Sequence, residues 1–245
     1  MGLSPAIPSI TTLAAHSPVA THKWEARGGA PIGYVKGMAV AFGRVYCKLK
    51  QGDPVAVDMA QADIGDDFTD AMAHLRALFV LHGMDNSHAG AGTLRHLFVL
   101  LYALGMRESS GQYSVGRDPG NSNPAAWSSE AGLFQVSYDS HGKSLLLDKL
   151  IQQYRGSTDF LDIFKEGVSP KASDLHSDGS GAANEFQVLN KSCPAFAVEY
   201  AGIALRHVRQ YSGPINRKTI ELTRICNELF LAVQHIIDAG GYAAV

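Results

Sequence analysis

Along the chain, stretches in which apolar residues recur every three or four positions alternate with stretches in which they thin out. From Tyr34 to Lys50 the positions Val35, Met38, Ala39, Phe42, Val45 and Tyr46 share one helical stripe, which Gly52, Asp53 and Pro54 interrupt. A second amphipathic helix is predicted over 67–81 through Phe68, Met72, Leu75, Leu78 and Phe79, closed by Gly83. A third starts at Thr93 as N-cap and runs through Leu94, Leu97, Phe98, Leu101 and Leu104, with Val99, Leu100, Tyr102 and Ala103 filling the other faces. A helix apolar on all sides belongs in a protein interior. Helical spacing returns over Leu145–Tyr154, Phe160–Phe164, Pro194–Arg209 and Pro214–Ile237, with proline in the opening turn of the last two.

Between these elements lie three polar stretches. Residues 1–30 are rich in Pro, Ser, Thr and Gly and are expected to form an irregular N-terminal arm, leaving 31–245 as one domain. Residues 109–131 form a loop of Ser, Gly, Asn and Pro, of a length that compact domains usually keep for function. Residues 177–183 read as a glycine-rich flexible loop. The fold class is therefore mainly α.

Composition narrows the partners. With 46% hydrophobic and 18% charged residues the chain can bury a sizeable core. A formal charge of -2 gives no broad electrostatic reason to bind nucleic acid, and no apolar run is long enough to cross a membrane. The first residues lack the basic cluster and apolar run of a signal peptide. Cys47, Cys193 and Cys226 match no zinc spacing and read as small buried apolar residues. The histidines at 74, 82, 88 and 96 form no H-E-x-x-H pattern, Gly90-Ala91-Gly92 is no dinucleotide fingerprint, and no G-x-S-x-G occurs. No cofactor or metal is implied.

One residue breaks the local rule. Glu108 follows Leu104 by four positions and Leu101 by seven, so it lies on the apolar stripe of a buried helix, and at its C-terminal end. Loss of water and the negative end of the helix dipole both raise a carboxyl pKa. A carboxyl that keeps its proton near neutral pH suits a general acid. Solvation at a frayed helix end, or pairing with Arg107, is the structural alternative.

Met106-Arg107-Glu108-Ser109-Ser110-Gly111, followed by Glu130-Ala131-Gly132-Leu133-Phe134-Gln135-Val136, resembles the paired signature of goose-type lysozymes and soluble lytic transglycosylases. The likeness covers 97–137. It implies an α-rich lysozyme-like α+β fold with a small β-hairpin or loop region beside a cleft. It also implies cleavage of the β-1,4 bond between N-acetylmuramic acid and N-acetylglucosamine in peptidoglycan, or of a chitin-like polysaccharide. By the same likeness Glu108 is the acid and Asp118, ten residues on, resembles the loop aspartate that activates water in an inverting hydrolase. Asp118 could instead pair with Arg117 or cap the turn at Pro119-Gly120.

Around these two, Gln135 resembles the cleft glutamine that meets a sugar N-acetyl group, with turn stabilisation as its alternative. Ser109 could bond a substrate hydroxyl or terminate the helix. Glu130 and Asp139 are further acids beside the signature. Tyr113, Trp127 and Tyr138 could stack on sugar rings or pack inward, and Tyr211, before Gly213-Pro214, resembles the tyrosine that completes the transglycosylase cleft. An inverting muramidase is expected. A lytic transglycosylase, which needs no base, and a noncatalytic glycan-binding protein are the alternatives. Such a substrate would place the protein in the periplasm, outside the cell or among delivered effectors.

Overall fold

In the computed structural model, residues 3–63, 65, 67–116 and 125–240 are described, the Tyr211 side chain excepted. The helices are α1 (Ile7–Ala15), α2 (Ile32–Lys50), α3 (Pro54–Met59), α4 (Ala71–His74), α5 (Arg76–Leu81), α6 (Ala91–Ser109) and α7 (Leu145–Tyr154). They continue with α8 (Leu161–Phe164), α9 (Ala172–Leu175), α10 (Gly181–Ser192), α11 (Pro194–His207), α12 (Gly213–Asn216) and α13 (Arg224–Gly240). Among the described residues the sole sheet is an antiparallel pair, β1 (Lys23–Trp24) and β2 (Gly28–Gly29). The molecule is mainly α. Among the described residues no helix is long and apolar enough to cross a membrane.

The helix that is apolar all round takes the centre. In α6, Leu94, Leu97, Phe98, Val99, Leu100, Leu101 and Tyr102 are fully buried, and α2, α11, α12 and α13 pack around it. Each such side chain contributes about 1.5–3 kcal/mol by leaving water. Gly105 of α6 leaves room for a side chain of α2: the Tyr34 hydroxyl sits against the place a Cβ would take and donates to Tyr102 O at 2.8 Å. Phe42, Phe98 and Phe230 join α2, α6 and α13 through ring contacts of 5.1–5.7 Å. All three cysteines are buried and none is in a disulfide.

Several boundaries differ from the sequence expectation. The first 30 residues are not an irregular arm throughout: α1 buries Ile10 and Ala14 against α2 and α13, with a proline in its first turn. The helix expected over 67–81 is two short helices meeting at Leu75, the first capped by Asp70, whose carboxylate accepts from Met72 N, while Phe68 stays outside and exposed. Thr93 lies within α6 rather than capping it, and its hydroxyl donates to His88 O at 2.6 Å. The segment 214–237 is not one helix but α12 and α13 with a non-helical stretch between. The loop expected over 177–183 ends early, because α10 already starts at Gly181.

Two buried ion pairs tie α11 to its surroundings. Lys48 donates to both oxygens of Glu199 at 2.7 and 2.8 Å, and the Tyr154 hydroxyl donates to the same carboxylate at 2.8 Å. Arg206 meets Asp70 at 3.0 Å, both side chains being almost fully buried. They hold α11, which forms part of the cleft described next, against α2, α7 and α4.

Candidate functional site

At its C-terminal end α6 turns sharply. Ser110 adopts φ 54° and Gly111 φ 73°, and their N–H groups donate to Met106 O at 3.0 Å and Gly105 O at 3.1 Å, satisfying carbonyls of the last turn. Glu108 therefore sits in the final turn, half-buried, as the apolar stripe of the sequence predicts. It opens onto a cleft of about 240 Å³ where α6, the segment 128–140, the end of α11 and the segment 208–213 converge.

The second half of the signature supplies much of that cleft. Ala131 and Val136 form an isolated antiparallel bridge, with Gln135 at φ 47° closing the turn between them. Gly132, at φ 77°, donates to Val115 O at 2.8 Å and lies so close to Asn190 that a Cβ would come within 2.8 Å of its carbonyl oxygen. Glycine is needed there on both counts. The turn is thus pinned between the loop after α6 and α10, and Glu130, Phe134, Gln135 and Val136 line the cleft beside Glu108.

Electrostatics set Glu108 apart. Its carboxyl is pushed up from 4.5 to about 7, first by desolvation and next by the negative charge of Glu130; the guanidinium groups of Arg27, Arg217 and Arg107 oppose the shift. Near neutral pH the group is close to half protonated. Apolar wall comes from Leu104, Ala201, Ala204, Leu205 and Val208.

The other expected site residues divide. Glu130 and Asp139 share the cleft with Glu108, and Asp139 accepts from the Ser137 hydroxyl at 2.6 Å. Gln135 lines it too, but its amide donates to Gly132 O at 2.9 Å and Val115 O at 3.3 Å, so its N–H groups serve the turn. Ser109 is turned away: its buried hydroxyl donates to Gly105 O at 2.9 Å, the helix-terminating alternative. Tyr113 is buried in the core and offers no sugar platform. Tyr138 stacks on His141 at 4.2 Å and packs on Phe186, beside a second groove between α7 and α10. Trp127 is exposed. Asp118 lies outside the described residues, as does the side chain of Tyr211.

Arg209 and Ser212 also line the cleft and were not singled out from the sequence. Spacing along the chain gave no signal: α11 ends at His207 and Val208, at φ -139°, leaves the helix, so Arg209 does not share the helical stripe of Leu205. Among the described residues no group of three or more His, Cys, Asp or Glu side chains could hold a metal ion. His96 is buried with Nδ1 2.7 Å from Asn86 Oδ1. Comparison with protein-family models, curated proteins and solved structures produced no match.

Proposed function

We propose that the chain is a lysozyme-like muramidase that cleaves the β-1,4 bond between N-acetylmuramic acid and N-acetylglucosamine, with Glu108 as general acid. The observation that carries this reading is a half-buried carboxyl at the end of the central helix, raised to about 7, facing a cleft shared with two further carboxylates. The resemblance of 106–111 and 130–136 to goose-type lysozymes and lytic transglycosylases names the bond.

In this reading the Glu108 proton passes to the glycosidic oxygen as the bond to the anomeric carbon breaks. The carboxylate left behind gains its negative charge near Arg27, Arg107 and Arg217, which lowers the cost of releasing the proton. Positive charge developing on the sugar ring is stabilised by Glu130 and Asp139 in the same cleft. Water on the other face of the ring is activated by Asp118, on the resemblance, or by Glu130, whose charge Glu108 senses.

Digestion of purified peptidoglycan followed by mass spectrometry tests the reading. Reducing ends that vanish in Glu108→Gln support it, and undiminished activity in that variant removes its basis. Products one water lighter identify a lytic transglycosylase, whereas tight binding without cleavage identifies a glycan-binding protein. Asp118→Asn and Glu130→Gln, assayed side by side, assign the base.

A further inference from the structure

The segment that follows α11 carries three polar atoms that are buried without a hydrogen-bond partner: Arg209 Nε, Gln210 Oε1 and Ser212 Oγ. Two of these residues, Arg209 and Ser212, line the cleft that holds Glu108. Arg209 is only 9% exposed. Its Nη1 donates to Asn216 Oδ1 at 2.7 Å, its guanidinium carbon lies 5.9 Å from the centre of the Phe68 ring, and its backbone carbonyl accepts from Ser212 N at 2.9 Å. The guanidinium is therefore held in place, whereas its Nε–H is dry and unmet.

A buried donor without an acceptor costs its full desolvation, so native proteins keep few of them, and one at a cleft wall can be met by a ligand group. A neutral carbonyl could meet one donor but would not pair with the guanidinium charge. A carboxylate meets both, accepting from Nε–H and from the Ser212 hydroxyl while pairing with the charge.

We propose that Arg209 and Ser212 form a subsite that reads a carboxylate carried by the glycan, and so separate acidic sugars from neutral chitin-like chains. The inference rests on the muramidase reading for the identity of the sugar. Peptidoglycan offers this chemistry in two forms: the free lactyl carboxylate of an N-acetylmuramic acid that carries no peptide, and, where a peptide is joined to that carboxyl as an amide, the carboxylates of the peptide.

Calorimetric binding to the full chain carrying Glu108→Gln, which suppresses turnover, tests the proposal. The probes are an N-acetylglucosamine–N-acetylmuramic acid disaccharide, the same sugar with its carboxyl reduced to an alcohol, the disaccharide carrying the peptide as an amide on its lactyl carboxyl, that peptide-bearing disaccharide with its peptide carboxylates amidated, and chitobiose. The acid is expected to bind about tenfold or more tightly than the alcohol, the scale of one charge-assisted hydrogen bond. Arg209→Met should collapse that ratio. Should acid and alcohol bind alike while the peptide-bearing disaccharide loses affinity when its peptide carboxylates are amidated, the peptide is the source and the subsite stands. Ser212→Ala removes a hydroxyl that has no partner, so it should leave the melting temperature unchanged while reducing the preference for the acid. Equal affinity within both the acid–alcohol pair and the peptide-bearing pair, or a preference that survives both variants, overturns the proposal. Selective binding by a wild-type protein that cleaves no glycan would sink the muramidase reading alone, whereas cleavage without carboxylate selectivity would sink the subsite alone.

Discussion

Replacing Glu108 by Gln should stabilise the protein, and by an amount that depends on pH. The folded chain holds this carboxyl at about 7, against 4.5 for an ordinary one. Between those values the unfolded chain has released the proton that the folded chain still binds, so folding stability falls as pH rises through this window. Below about pH 4.5 both states are protonated and the carboxyl contributes no penalty; above about pH 7 the penalty is complete. At about 1.4 kcal/mol per unit the full shift corresponds to roughly 3 kcal/mol, and partial solvation of the side chain reduces this to about 2–3 kcal/mol. Gln carries no such penalty at any pH. The gap between Glu108→Gln and wild type should therefore widen from near zero at about pH 4.5 to about 2–3 kcal/mol at about pH 8, or roughly 4–12 °C in melting temperature for a chain of this size. Calorimetric or circular-dichroism melts of both proteins across that range measure it; titrating groups that do not interact with Glu108 are common to both and cancel, and the coupling to Glu130 is part of the Glu108 shift itself. A gap that stays constant with pH, or opens toward acid, would refute the account of Glu108 as a desolvated carboxyl.

Further outcomes follow from the same structure. Glycan cleavage should fall as pH rises above about 7, because Glu108 then loses the proton it donates, and Glu108→Gln should lower kcat about 10²–10⁴-fold with a smaller change in KM; a pH-rate profile flat up to about pH 9 argues against it. Gly105→Ala should drive a methyl group into the Tyr34 hydroxyl and cost about 1–3 kcal/mol, read as a lowered denaturation midpoint. Lys48→Met should leave the Glu199 carboxylate buried without its ammonium partner and cost about 3–5 kcal/mol, most of it recovered in the double variant with Glu199→Gln.

What the sequence determined by itself was local. The apolar spacing of Val35, Met38, Phe42 and Val45 identifies α2, and the unbroken apolar run from Leu97 to Leu104 identifies α6 as the central helix, because burial on every side leaves a mark in composition as well as in period. The partial burial of Glu108 follows from the same spacing, since i and i+4 share a helix face.

Where neighbours decide, the pattern was silent or misleading. Ile10 and Ala14 form a helix face only because α2 and α13 offer a surface to cover, and the proline-rich composition around them obscured it. The break at Leu75 and the split between α12 and α13 are choices among short segments whose intrinsic preferences differ by little, so contacts with α11 and α6 outweigh propensity. The fates of Ser109, Tyr113 and Gln135, which face a helix carbonyl, the core and a turn, depend on which groups lie within hydrogen-bond or van der Waals reach. Arg209 joins Glu108 in one cleft across about a hundred residues of chain. Periodicity along a chain reports which side of an element is dry; which distant side chains share that dryness is settled only when the elements pack.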